Sequence, residues 1–111
     1  MNVAITTVDQ ITTVTLDGDL DGSTAPQAQQ EIAPLAQPGA RIVMDMSKVP
    51  YMSIAGIRML LATYRQVTSI GGKIVLAGLV EEVKDTMQVT GFLNFFTALD
   101  TADEARKAVV Q

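Results

Sequence analysis

One hydroxyl, Ser53, stands in the stretch Pro50-Tyr51-Met52-Ser53-Ile54-Ala55-Gly56-Ile57-Arg58, where an extended segment gives way to a helical pattern. Two chemistries suit a serine there. As a helix cap, its oxygen accepts a backbone N–H that the first turn leaves unpaired, a contribution of about 1 kcal/mol. As a phosphoacceptor, it uses the same surroundings differently. The helix start carries partial positive charge and free donors that accommodate a phosphate, while the phosphate adds nearly two negative charges to the surface. Local chemistry leaves both roles open and weights the cap, because capping serines are common and switching ones few.

A second candidate is the acidic loop Asp17-Gly18-Asp19-Leu20-Asp21-Gly22. Alternating oxygen ligands and a glycine copy the first half of a calcium loop. Counted from Asp17, however, the twelfth position is Ala28 where a bidentate carboxylate is required, and the loop follows a strand instead of a helix. It reads as a polar strand-to-helix connection with Ser23 or Thr24 as cap, and no metal is expected. The glycines form no phosphate-cradling motif. With neither His nor Cys in the chain, imidazole acid–base schemes, thiol nucleophiles, disulfides and the usual zinc sites drop out. The expectation is a protein that is not an enzyme and needs no cofactor.

These residues must be positioned by a small scaffold. The chain has 111 residues, 48% of them hydrophobic, enough for one domain over residues 1–111 with a core of its own. A net charge of −4, with scattered Lys and Arg, argues against direct nucleic-acid binding. No apolar run approaches the roughly 18 residues of a membrane span and no leader pattern opens the chain, so no membrane insertion and a cytoplasmic location are expected.

Val-, Ile- and Thr-rich segments at 2–7 and 11–17, separated by Asp9-Gln10, predict a β-hairpin in which Thr12, Val14 and Leu16 share a face. A helix follows at about 23–36, with Pro34 placed to end it early. Arg41–Met46 and Lys73–Gly78 are short apolar strands suited to a parallel sheet covered on both faces. Between them Ile54, Ile57, Leu60, Leu61, Tyr64 and Val67 form a helical stripe, with Arg58, Arg65 and Gln66 largely off it. The glycine pair 71–72 stops that helix. A helix at about 80–89, a strand in Asn94–Leu99 and a last helix capped by Thr101, with Glu104 at the capping-box position, complete the order ββαβαβαβα. The fold class is α/β: an open, mixed five-stranded sheet with about four helices.

Taken together, "LDGDLDGSTA", "RIVMDMSKVPYM", "SIAGIRMLLATYRQV" and "GGKIVLAGLVEEVKDTMQVTGF" resemble, in order and almost end to end, the STAS domain of bacterial anti-sigma-factor antagonists and of the cytoplasmic portions of sulfate transporters. The resemblance implies partner switching in signal transduction and transcription regulation. In that scheme the antagonist binds an anti-sigma factor that is also a serine kinase. Phosphorylation of a serine at the start of the second helix weakens the complex, and a serine phosphatase restores it. ATP belongs to the kinase.

The family's commonest switch motif is D-S-S-G, with the acceptor directly before glycine. Here the four residues are Ser53-Ile54-Ala55-Gly56, so Ala55 takes the usual acceptor position and Ser53 that of the usual aspartate. Ser53 is the only hydroxyl in this motif and is the expected phosphorylation site. The implied partner surface comprises Asp21, Ser53, Ile54, Gly56 and Arg58, with Asp21 also suited to satisfying donors in its own turn. The alternative is a non-switching scaffold or accessory subunit of a signalling or transport complex; a small-ligand sensor using the acidic loop ranks last.

Overall fold

The computed structural model describes residues 1–111. Asn2–Val8 (β1) and Ile11–Asp17 (β2) form the hairpin, in register from Asn2–Asp17 to Val8–Ile11. The two-residue turn places Asp9 at φ 53° and Gln10 at φ 67°, a left-handed pair that matches the twist of the strands. Arg41–Lys48 (β3), Lys73–Ala77 (β4) and Thr97–Leu99 (β5) follow in parallel, so the sheet runs β1-β2-β3-β4-β5 with one antiparallel edge.

Four α-helices, Ala25–Ile32 (α1), Ile54–Ser69 (α2), Glu81–Val89 (α3) and Ala102–Val109 (α4), cover the sheet. Alternation along each strand decides which face each helix meets. Val14, Leu16, Ile42, Met44, Ile74 and Leu76 point to one face and pack with the apolar stripes of α1, α2 and α3. Val43, Val75 and Ala77 point to the other, where Ala105 and Val109 of α4 close over them. β3 and β4 are therefore apolar on both faces, which is why they read as unbroken runs.

The first helix starts at Ala25, two residues later than expected, and ends early at Pro34 as expected: it stops at Ile32 and continues as a 3-10 turn over Ala33–Leu35, because Pro34 has no N–H for the α-helical ladder. One element differs more. Residues 94–99 are not one strand. Gly91, at φ 80°, starts a 3-10 turn over Phe92–Phe95 closed by the Phe96 N–H donating to the Leu93 carbonyl, and only Thr97–Leu99 pairs with β4. Thr101 caps α4 as expected, accepting from the Glu104 N–H at 3.2 Å. No helix is long and apolar enough to cross a membrane.

Candidate functional site

The site lies where β2 and β3 end and hand the chain to α1 and α2. Ser53 has extended backbone angles and its Oγ accepts from the Gly56 N–H, so it is the N-cap of α2. At 3.4 Å that bond is long, outside the usual range for N–H···O, and holds the hydroxyl only loosely. Before and after the cap, Met52 and Ile57 occupy the positions of a hydrophobic staple and are both buried in the same core cluster.

Gly56 explains why the cap is not a reciprocal box: it has no side chain to reach back to the Ser53 N–H. That donor goes instead to the Leu20 carbonyl at 2.9 Å, while the Leu20 N–H donates to the Tyr51 carbonyl at 3.0 Å. Leu20 and Met52 thus pair as one rung of parallel sheet beyond the end of the strands. A Cβ on Gly56 would lie 2.5 Å from the Leu20 carbonyl oxygen and 2.8 Å from Met52 Cγ. Only glycine lets the acidic loop approach the first turn of α2 so closely.

Asp21 organises that loop. Its carboxylate accepts from the Ser23 N–H at 2.9 Å, the Ser23 hydroxyl at 2.7 Å and the Thr24 N–H at 3.2 Å, while its own N–H donates to Thr24 Oγ1 at 2.9 Å. This is a reciprocal cap: Asp21, not Ser23 or Thr24, supplies the capping oxygen, and the Ala25 N–H already bonds to its carbonyl. The Ser23 hydroxyl and N–H, followed by the donors of Thr24, hold the Asp21 carboxyl below its ordinary pKa. All its side-chain partners lie within its own turn. Asp17, Asp19 and Asp21 are not drawn together; the chain has no group of three or more acidic side chains placed to hold a metal.

Around Ser53, which is partly exposed, Tyr51 is 54% and Ile54 42% exposed. Two apolar side chains are thus left in solvent beside the hydroxyl. Ala55 is exposed at the next helical position, 3.9 Å from where a Cβ on Gly22 would stand. Alongside, α1 and α2 leave a groove of about 340 Å³ lined by Gly22, Ala25, Pro26, Ala55, Arg58 and Ala62 among others. The site thus brings together Ser53, Ile54 and Gly56 at one helix start, docks the Asp21 loop against them through Leu20, and sets Arg58 one turn further on. Leu20, Tyr51 and Met52 were not singled out by their types. The signal was present in the staple spacing of Met52 and Ile57, but the rung between residues 20 and 52 is a tertiary pairing with no local pattern.

This sheet, with the loop after β2 paired to the start of α2, is the architecture of a STAS domain, and the STAS family model matches residues 2–105. The chain belongs to the STAS domain family. It is 28% identical over 109 residues to the Bordetella bronchiseptica protein BtrV, named as an anti-sigma factor antagonist, covering 97% of this chain and 94% of that one. It is 25% identical over 92 residues to the anti-sigma-B factor antagonist of Staphylococcus aureus, covering 82% of this chain and 85% of that protein. A crystal structure of an anti-sigma factor antagonist from Mycobacterium paratuberculosis superposes with a TM-score of 0.88 over 99% of this chain and 94% of that one; at 24% identity the likeness is one of fold.

Proposed function

We propose that this protein is a cytoplasmic anti-sigma-factor antagonist that binds a serine kinase acting as anti-sigma factor. The kinase's phosphorylation of Ser53 releases the complex, and a serine phosphatase resets it. The observation that carries the reading is the placement of Ser53: a loosely held hydroxyl at a helix start, flanked by exposed Tyr51 and Ile54, in a family whose relatives are named antagonists. A phosphate there would meet the positive end of α2 and so be accommodated without unfolding it, while placing new charge in the middle of the docking surface. In this reading Asp21 shapes the adjoining loop, Ile54 and Arg58 contact the partner, and Gly56 keeps the loop and the helix in register. The chain acts by binding, as a substrate of the kinase.

Incubation with purified serine-kinase anti-sigma factors and ATP, followed by peptide mapping, tests the switch. Phosphate is expected on Ser53. Phosphate on another residue, or none with a kinase that binds the chain, overturns the assignment. Ser53→Ala should still bind the kinase, and Ser53→Asp should bind at least about tenfold more weakly, a difference of about 1.4 kcal/mol.

One observation favours a second reading. Ala55, at the family's usual acceptor position, has no hydroxyl to modify, which suits a constitutive scaffold or accessory subunit. In that case Ser53→Asp and Ser53→Ala alter stability alone and leave partner affinity unchanged.

A further inference from the structure

α2 differs in charge from the molecule around it. It carries Arg58 and Arg65 and no acidic residue, whereas the chain as a whole stands at −4, so everything outside α2 sums to −6. Arg58, Ala62 and Arg65 are spaced four and three residues apart and all three are exposed, so they lie along one face of the helix. The two guanidinium-bearing positions are about 10 Å apart along the axis, at 1.5 Å per residue.

Arg58 and Ala62 of this face line the groove between α1 and α2, and Arg65 lies further along the helix, outside the lining. Across the groove, α1 contributes Ala25, Pro26 and Gln29, none of them charged. The only acid of α1, Glu31, accepts from Gln27 Nε2 at 3.2 Å and is not among the residues lining the groove. At the mouth of the groove the Asp21 carboxylate is occupied by Ser23 and Thr24. Neither arginine has an acidic partner within salt-bridge reach, since the one ion pair of the chain joins Arg106 to Asp103 on α4. The groove is therefore a small-residue slot with the unpaired Arg58 on one wall and the unpaired Arg65 beyond its end on the same helix face, on a protein that is otherwise negative.

We infer that the α1–α2 groove receives an acidic segment of the partner protein, whose carboxylates pair with Arg58 and Arg65 while its backbone lies against Ala25, Ala55 and Ala62. The inference rests on the partner-binding reading and gives that partner a chemistry. A guanidinium can grip a carboxylate through two parallel N–H bonds, and small residues on both walls let a segment come close enough for that grip. Complementary charge placed here selects the partner's register as well as its affinity. Because Arg58 lies one turn beyond the Ser53 cap, a phosphate on Ser53 would compete with the same carboxylates.

Two measurements test it on the whole protein. In the first, the amide resonances of the 15N-labelled protein are followed while poly-L-glutamate is added at pH 7 and low salt. Shifts are expected over residues 55–66 and 22–29, to be lost in Arg58→Glu/Arg65→Glu and weakened by 0.3 M salt. Shifts that are absent, lie elsewhere, or persist in the double variant overturn the proposal; unchanged dispersion of the variant's spectrum shows that it is folded. In the second, a purified anti-sigma factor that binds the unmodified protein is titrated against the same variant. A loss of about tenfold or more, recovered when partner acids are changed to arginine, supports the groove, and equal affinity overturns it. If the poly-L-glutamate footprint forms while no anti-sigma factor binds, the antagonist reading fails and the acid-binding face stands.

Discussion

At the scale of single residues, three side-chain positions hold the site in different ways. Ser53 is a weak cap whose hydroxyl is the proposed phosphoacceptor, Gly56 contributes by lacking a side chain, and Asp21 acts through its charge. Gly56→Ala would force a Cβ to within 2.5 Å of the Leu20 carbonyl, so either the Ser53–Leu20 hydrogen bond or the first turn of α2 must move. A loss of about 1–3 kcal/mol in urea unfolding is expected, in the range of overpacked interiors. The same substitution at Gly39, which has nothing within 4 Å, would report backbone strain alone.

Asp21 makes a pH prediction. Its folded-state pKa is lowered by donors from Ser23 and Thr24, so its ionised form is favoured by folding. The stability it contributes is complete above the ordinary value of 3.8 and is lost as pH falls through the lowered folded-state value. The stability gap between the native protein and Asp21→Asn should therefore be constant near neutrality and shrink below about pH 4. A gap that widens on acidification would contradict the hydrogen-bond assignment.

At the scale of elements, most boundaries follow from local chemistry. The β1–β2 turn shows where that chemistry is met imperfectly. Asp9 and Gln10 both sit at positive φ, a conformation glutamine adopts at a cost, whereas Asn-Gly adopts it readily. Asp9→Asn/Gln10→Gly is expected to raise the melting temperature, with a gain of about 0.5–1 kcal/mol. The proposed phosphorylation of Ser53 should be unaffected, because the turn lies at the opposite end of β2 from the site. α2 was legible for the opposite reason. Its apolar stripe, Ser53 cap and glycine stop agree with one another, and the helix runs from Ile54 to Ser69 as that agreement requires. β5 is shorter than its sequence predicts: "NFFTAL" is apolar enough for a strand throughout, but the left-handed Gly91 and the Phe96–Leu93 bond fold its first half into a 3-10 turn.

At the scale of the whole molecule, the sheet divides the work between its faces. α1, α2 and α3 build the main core, the starts of α1 and α2 carry the candidate site, and α4 covers Val43, Val75 and Ala77 on the far side. Placing a carboxylate in that second layer with Ala105→Asp should undock α4, since a buried charge without a partner costs several kcal/mol. Hydrogen exchange is expected to show lost protection in residues 102–109 and a lower global stability, with the order of the five strands unchanged.

The sequence by itself determined the α/β class, the strand that would be antiparallel, the helical stripes and the cap at Ser53, because each depends on neighbours within a few positions: alternation, period and side-chain chemistry are local. It also determined that Ala55 has no hydroxyl. Only the tertiary structure decided that Leu20 bridges to Met52 and that Gly56 is required by the Leu20 carbonyl, 36 residues away in a different loop. It alone set α1 beside α2, so that Arg58 lines a groove free of acids. The reason is physical: parallel crossovers bring the starts of distant helices together at the carboxyl ends of the strands, and which of their side chains meet there depends on packing between segments that share no local pattern.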